Sequence, residues 1–137
     1  MDFVSIRVIT EDVARLVAFY ERVIGGSATW ANENFAELNI GPATLAIAST
    51  RTVPLFGAGT AEAAANRSVI IEFLVDDVDS LRAGLGGAVE EFVNEPTTMP
   101  WGNRSQLVRD PDGNLVNFFT PVTAAAREKF GRPASAG

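Results

Sequence analysis

Residues 3 to 9 alternate with the period of two expected of a strand that buries one face, and the period then changes. Val13, Leu16, Val17, Tyr20 and Ile24 recur at the spacing of one helical face, with Thr10 placed to cap the helix and Gly25-Gly26 to stop it. Three short strands follow near 27–31, 34–40 and 44–48, separated by the turn chemistry of Asn32-Glu33 and Gly41-Pro42. The first unit therefore reads βαβββ. The same order returns as a strand at 68–75, a shorter helix at 78–85, and strands near 88–94, 104–109 and 114–120. Asp110-Pro111-Asp112-Gly113 predicts a tight turn between the last two, because proline presets one dihedral and glycine supplies the positive one.

The two units also match residue by residue. Val4-Ser5-Ile6-Arg7-Val8-Ile9-Thr10-Glu11-Asp12-Val13 answers Val69-Ile70-Ile71-Glu72-Phe73-Leu74-Val75-Asp76-Asp77-Val78 at a constant offset of 65. Gly25-Gly26 answers Gly86-Gly87, and the Gly41-Pro42 turn answers the Asp110–Gly113 turn with one extra residue in the second copy. Residues 1–49 and 68–121 are thus expected to form the two units of a single domain. Residues 50–67 link them, and 122–137 form a tail with a helical turn or two at 123–130 and a frayed end.

Composition then narrows the chemistry. The 137 residues contain no cysteine and no histidine, which removes disulfides, thiolate and imidazole metal sites, and every histidine-dependent catalytic triad. Catalysis would have to rest on carboxylates, hydroxyls, Tyr20, arginines, the single Lys129 or backbone amides. The net charge of −6, without a basic cluster, argues against nucleic acid. The absence of a long apolar run or signal-like start argues against a membrane and leads us to expect a cytoplasmic protein.

The tandem βαβββ pattern, the segment Asp-Val-Ala-Arg-Leu-Val-Ala-Phe-Tyr-Glu-Arg-Val-Ile-Gly at 12–25 and Arg-Asp-Pro-Asp-Gly-Asn-Leu-Val-Asn-Phe-Phe at 109–119 together resemble the vicinal oxygen chelate superfamily. These are the glyoxalases, bleomycin-resistance proteins and extradiol dioxygenases, and the resemblance spans roughly residues 3–121. It implies an α+β fold in which the two units form a curved eight-stranded mixed sheet around a cavity, and a homodimer. It also implies four metal-ligand positions, one on the first and one on the last strand of each unit. Carried onto this chain they fall at Ser5, Ile47 (give or take one residue), Ile70 and Asn117, where related enzymes carry glutamate at the last. Serine, isoleucine and asparagine do not make a divalent-metal site, so no metal and no other cofactor is expected. In this the chain sides with the drug-binding members.

Alternation places Ser5 with Arg7 on one face of the first strand, Ile70 with Glu72 on the equivalent face of the fifth, and Asn117 with Phe119 on the last. Arg7 and Glu72 are related by the repeat; they either bridge each other or contact a ligand. Asn117 bonds a ligand or neighbouring backbone. Trp101 lies in the long connection before a strand, where it lines the site or plugs the loop, and Trp30 fits a pocket, the core or a dimer interface. Phe19 and Tyr20 read as core. One pair of Glu37/Asn39 and Leu38/Ile40 faces the cavity, and alternation alone does not say which.

Two main readings follow. The first is a homodimeric protein that sequesters a small, partly aromatic molecule such as an antibiotic, through Ser5, Arg7, Glu72, Trp101, Asn117 and Phe119. The second is a metal-free isomerase, epimerase or lyase with Glu72 or Glu37 as general base and Arg7 holding an oxyanion. A structural or partner-binding module, needing no cavity, is a third.

Overall fold

A computed structural model describes residues 1–132, so the frayed end expected beyond them lies outside the described residues. The chain divides into two compact units, Met1–Arg67 with Pro111–Gly113, and Ser68–Asp110 with the residues from Asn114 onward.

The first unit runs β1 (Ser5–Thr10), α1 (Val13–Ile24), β2 (Thr29–Asn32), β3 (Phe35–Ile40) and β4 (Ala43–Ser49), followed by a 3₁₀ turn at Thr50–Leu55. Its sheet has the order β1-β4-β3-β2, with β1 parallel to β4 and the other pairs antiparallel. The second unit repeats this plan with β5 (Ile70–Leu74), α2 (Val78–Leu85), β6 (Glu91–Phe92), β7 (Thr97–Thr98), β8 (Asn103–Arg109) and β9 (Leu115–Pro121), and ends in α3 (Ala124–Lys129). Its order is β5-β9-β8-β6, β7 pairing with β8 off that path, and β5 is parallel to β9.

The fold class is the expected α+β arrangement of two βαβββ units. The expected single eight-stranded sheet is corrected: the strands lie in a four-stranded and a five-stranded sheet. The strand foreseen over 88–94 shrinks to Glu91–Phe92 because Gly86–Ala88 forms a 3₁₀ turn, and the Asn94 side chain then takes up the ladder. Its Oδ1 accepts from Leu107 N at 2.8 Å, and the buried Gln106 amide donates to the Asn94 carbonyl.

The α1 cap is also corrected. Thr10 remains in β1, paired with Ser49, and its hydroxyl accepts from the Asp12 amide. Asp12 is the N-cap, accepting from Arg15 N at 3.1 Å. At the repeat-equivalent position Asp77 caps α2, accepting from the Asp79 and Ser80 amides and the Ser80 hydroxyl. The Ser80 hydroxyl, and after it the Ser80 amide, hold its carboxyl below the ordinary aspartate value. The Asp-Val doublet shared by the halves is therefore the helix-start signal.

Each helix packs on one side of its own sheet. Buried Leu16, Val17 and Tyr20 of α1 join Leu38, Leu45 and Ile47, while Phe19 meets Tyr20 edge to face at 5.0 Å. Complete burial of Leu16 contributes on the order of 2 kcal/mol. In the second unit α2 is tied down by Thr120 Oγ1, which accepts from Val78 N at 2.9 Å. Arg104 on β8 adds a two-pronged bridge to Asp79, with Nε–Oδ2 at 2.7 Å and Nη2–Oδ1 at 3.0 Å. In the Asp110–Gly113 turn, Gly113 takes φ +81° and Asn114 closes the loop onto the Asp110 carboxylate through its backbone and side-chain nitrogens.

Candidate functional site

Cross-strand partners share a face, so the register assigns every side chain to the helix side or the opposite side of its sheet. In the first unit Ser5 pairs with Thr44 and Thr44 with Asn39; Arg7 pairs with Ala46 and Ala46 with Glu37. Glu37 and Asn39 therefore stand with Ser5 and Arg7 on the helix-free face, whereas Leu38 and Ala36 stand with Leu45 and Ile47 on the helix side. Glu37 and Asn39, and not Leu38 and Ile40, thus occupy the face away from α1.

The Arg7 guanidinium lies 5.0 Å from the Phe35 ring centre and 5.5 Å from that of Phe56. Neither ring was singled out from the sequence. Phe35 carried a usable signal, its alternation with Glu37 and Asn39, but Phe56 sits in the linker and carried none. Glu37 is half-buried, and Thr44 donates its hydroxyl to Asn39 Oδ1 at 2.9 Å.

In the second unit Glu72 pairs with Asn117 and Asn117 with Leu107, and all three occupy the face opposite α2. Asn117 is 8% exposed and donates Nδ2 to Glu72 Oε2 at 2.8 Å, while its Oδ1 is buried without a hydrogen-bond partner among the described residues. Ile70, Leu107 and Leu115 surround the pair on this face, and Ile70 is 45% exposed. Phe119 shares the face but is buried, its ring 5.2 Å from that of Phe130 at the end of α3. Trp101 is 69% exposed in a turn closed by Gly102 N donating to the Met99 carbonyl, so it does not plug the loop. Trp30 is 43% exposed on β2, at the edge of its sheet.

A family profile for the Glyoxalase/Bleomycin resistance protein/Dioxygenase superfamily matches residues 2–118. The chain belongs to this superfamily. No curated protein sequence matches it significantly. Among solved structures it is similar to a glyoxalase/bleomycin resistance protein/dioxygenase family enzyme from Burkholderia phytofirmans PsJN, with TM-score 0.79, 19% identity, and 89% of this chain and 100% of that one covered. A glyoxalase/bleomycin resistance protein/dioxygenase from Nocardioides matches with TM-score 0.73 and 20% identity over 100% of this chain and 90% of that one. A glyoxalase-related enzyme from Fulvimarina pelagi gives TM-score 0.75 and 18% identity, covering 90% and 94%. At these identities the structures establish the shared fold.

The superfamily's metal positions can now be placed by register. Glu72 opposite Asn117 corresponds to Arg7 opposite Ala46, so the counterpart of Asn117 is Ala46, within the one residue of Ile47 that the repeat allowed. Ile47 pairs with Val8, fully buried on the helix side. The four positions that the resemblance implies are then Ser5, Ala46, Ile70 and Asn117, which supply a hydroxyl, an amide and two hydrocarbons. That set does not fit a divalent ion, and among the described residues no cluster of three or more acidic, histidine or cysteine side chains could hold one.

Proposed function

We propose that this superfamily member binds a small, partly aromatic organic molecule on the sheet faces opposite α1 and α2, without a metal intermediary. It sequesters this ligand as the drug-binding members do. The observation that carries the reading is Asn117 Oδ1, a buried acceptor with no partner beside a carboxylate and among Ile70, Leu107 and Leu115. A buried polar atom left unsatisfied costs about 1–3 kcal/mol, and a ligand N–H placed there would recover that cost. Within the second unit the exposed Trp101 ring suits a flat guest, and Ser5 and Arg7 are the corresponding candidates on the equivalent face of the first unit. Phe119 backs the face from beneath Phe130.

A screen of planar heteroaromatic amides by thermal shift, followed by calorimetry, tests this. Hits should bind wild type and lose affinity in Asn117→Leu. A screen without hits, or hits indifferent to that substitution, would reject the reading.

The metal-free isomerase, epimerase or lyase is retained as a second reading because Arg7 and Glu37 share one row of one face. A base and an oxyanion holder would need that arrangement. Exposed Phe3, Val4, Leu55 and Phe56 support assembly as a homodimer, which sedimentation would test. Among the described residues no helix is long and apolar enough to cross a membrane, and an acidic, cysteine-free chain suits the cytoplasm.

A further inference from the structure

One face of the first unit carries two opposite charges that do not meet. Arg7 on β1 and Glu37 on β3 both pair with Ala46 of the intervening β4. Two strand spacings set their backbones about 10 Å apart, with only a methyl group between them. Among the described residues neither side chain makes an ion pair or a hydrogen bond.

The guanidinium is nevertheless held. Phe35 and Phe56 lie 5.0 and 5.5 Å from it, and cations sit over ring faces, which leaves the N–H edge of the guanidinium for another partner. A planar fork held this way presents parallel donors that match a carboxylate and lose little further freedom on binding it. Glu37 offers only acceptors, so its complement is an ammonium or a polarised N–H group. The flanking rows differ. On one side Asn39 and Thr44 bond each other, whereas on the other Phe35 and Ala48 are apolar and suit the body of a flat molecule.

We propose that this row binds a small planar molecule bearing a carboxylate at one end, received by Arg7, and an ammonium or N–H donor at the other, received by Glu37. This ligand class rests on the reading of the sheet face opposite α1 as a binding surface.

The test uses the full chain, ¹⁵N-labelled, titrated with 4-(aminomethyl)benzoate, benzoate and benzylamine. The doubly charged probe should shift the amides of Arg7, Glu37 and Ala46 and bind about fivefold or more tightly than either singly charged one. Arg7→Gln should reduce its affinity to that of benzylamine, and Glu37→Gln to that of benzoate. Neither side chain has a hydrogen-bonding partner to lose, so changes in the free variants should stay near the substituted residue, with Phe35 and Phe56 also shifting in Arg7→Gln because its ring contacts are lost. Equal affinity for the three probes, no shifts with any, or shifts untouched by both substitutions would overturn the assignment. Shifts confined to the surroundings of Asn117 would also overturn it while leaving the Asn117 reading intact. Binding at Arg7 and Glu37 beside a failed amide screen would reject the Asn117 reading alone.

Discussion

Replacing Asn117 by leucine should make the protein more stable. Its Oδ1 is buried without a partner, which costs the folded state about 1–3 kcal/mol. Its Nδ2 donates to Glu72 at 2.8 Å, but Glu72 is exposed and can exchange that donor for water, so losing the bond costs about 1 kcal/mol. Leucine meets Leu107 across the strand pair and Leu115 along its own strand, so its added methyl groups find apolar neighbours. The balance favours the variant by about 1 kcal/mol, or roughly 3–5 °C in Tm for a chain of this size. Urea unfolding should show a higher midpoint at unchanged slope. Asn117→Asp serves as the opposite control, since it sets a second carboxylate against Glu72 and should destabilise. Destabilisation by Asn117→Leu of more than about 1 kcal/mol would show that the amide is a structural group fully satisfied in the fold. The orphan-acceptor argument would then fall.

Three further outcomes are expected. Calorimetry with Zn, Mn, Ni and Fe ions should show no specific binding, because Ser5, Ala46, Ile70 and Asn117 do not form a ligand set; a stoichiometric submicromolar site would contradict this. Trp101→Ala should weaken a ligand found in the screen by about 1 kcal/mol and leave Tm nearly unchanged, since the ring is 69% exposed; unaltered affinity would remove Trp101 from the site. The hydrogen bond from Arg104 holds the Asp79 carboxyl below its ordinary 3.8, so the stabilisation from that pair is complete above that pH and is lost as the pH falls through the folded-state value. In Arg104→Leu the Asp79 pKa should rise, as read by NMR titration, and an unchanged titration would refute the cause assigned.

What the sequence determined by itself was local. Period two followed by the helical period, the turn residues and the constant offset of 65 located all three helices and most of the strands, because each signal lies within a few residues of the element it specifies. The doublets Asp12-Val13 and Asp77-Val78 were visible as a repeat, yet their role as caps emerged only from the geometry of the first helical turns. Pairing register was out of reach, since it joins strands distant along the chain and a slip of one residue turns every side chain to the other face. That is why the β4 counterpart of Asn117 could be placed only to within one residue of Ile47, and why the face of Glu37 stayed open until β3 was seen against β4. Likewise, the rings on Arg7 and the unpartnered oxygen of Asn117 depend on which groups the folded chain brings within contact distance. Those contacts are set by tertiary packing, and no local pattern of residue types encodes them.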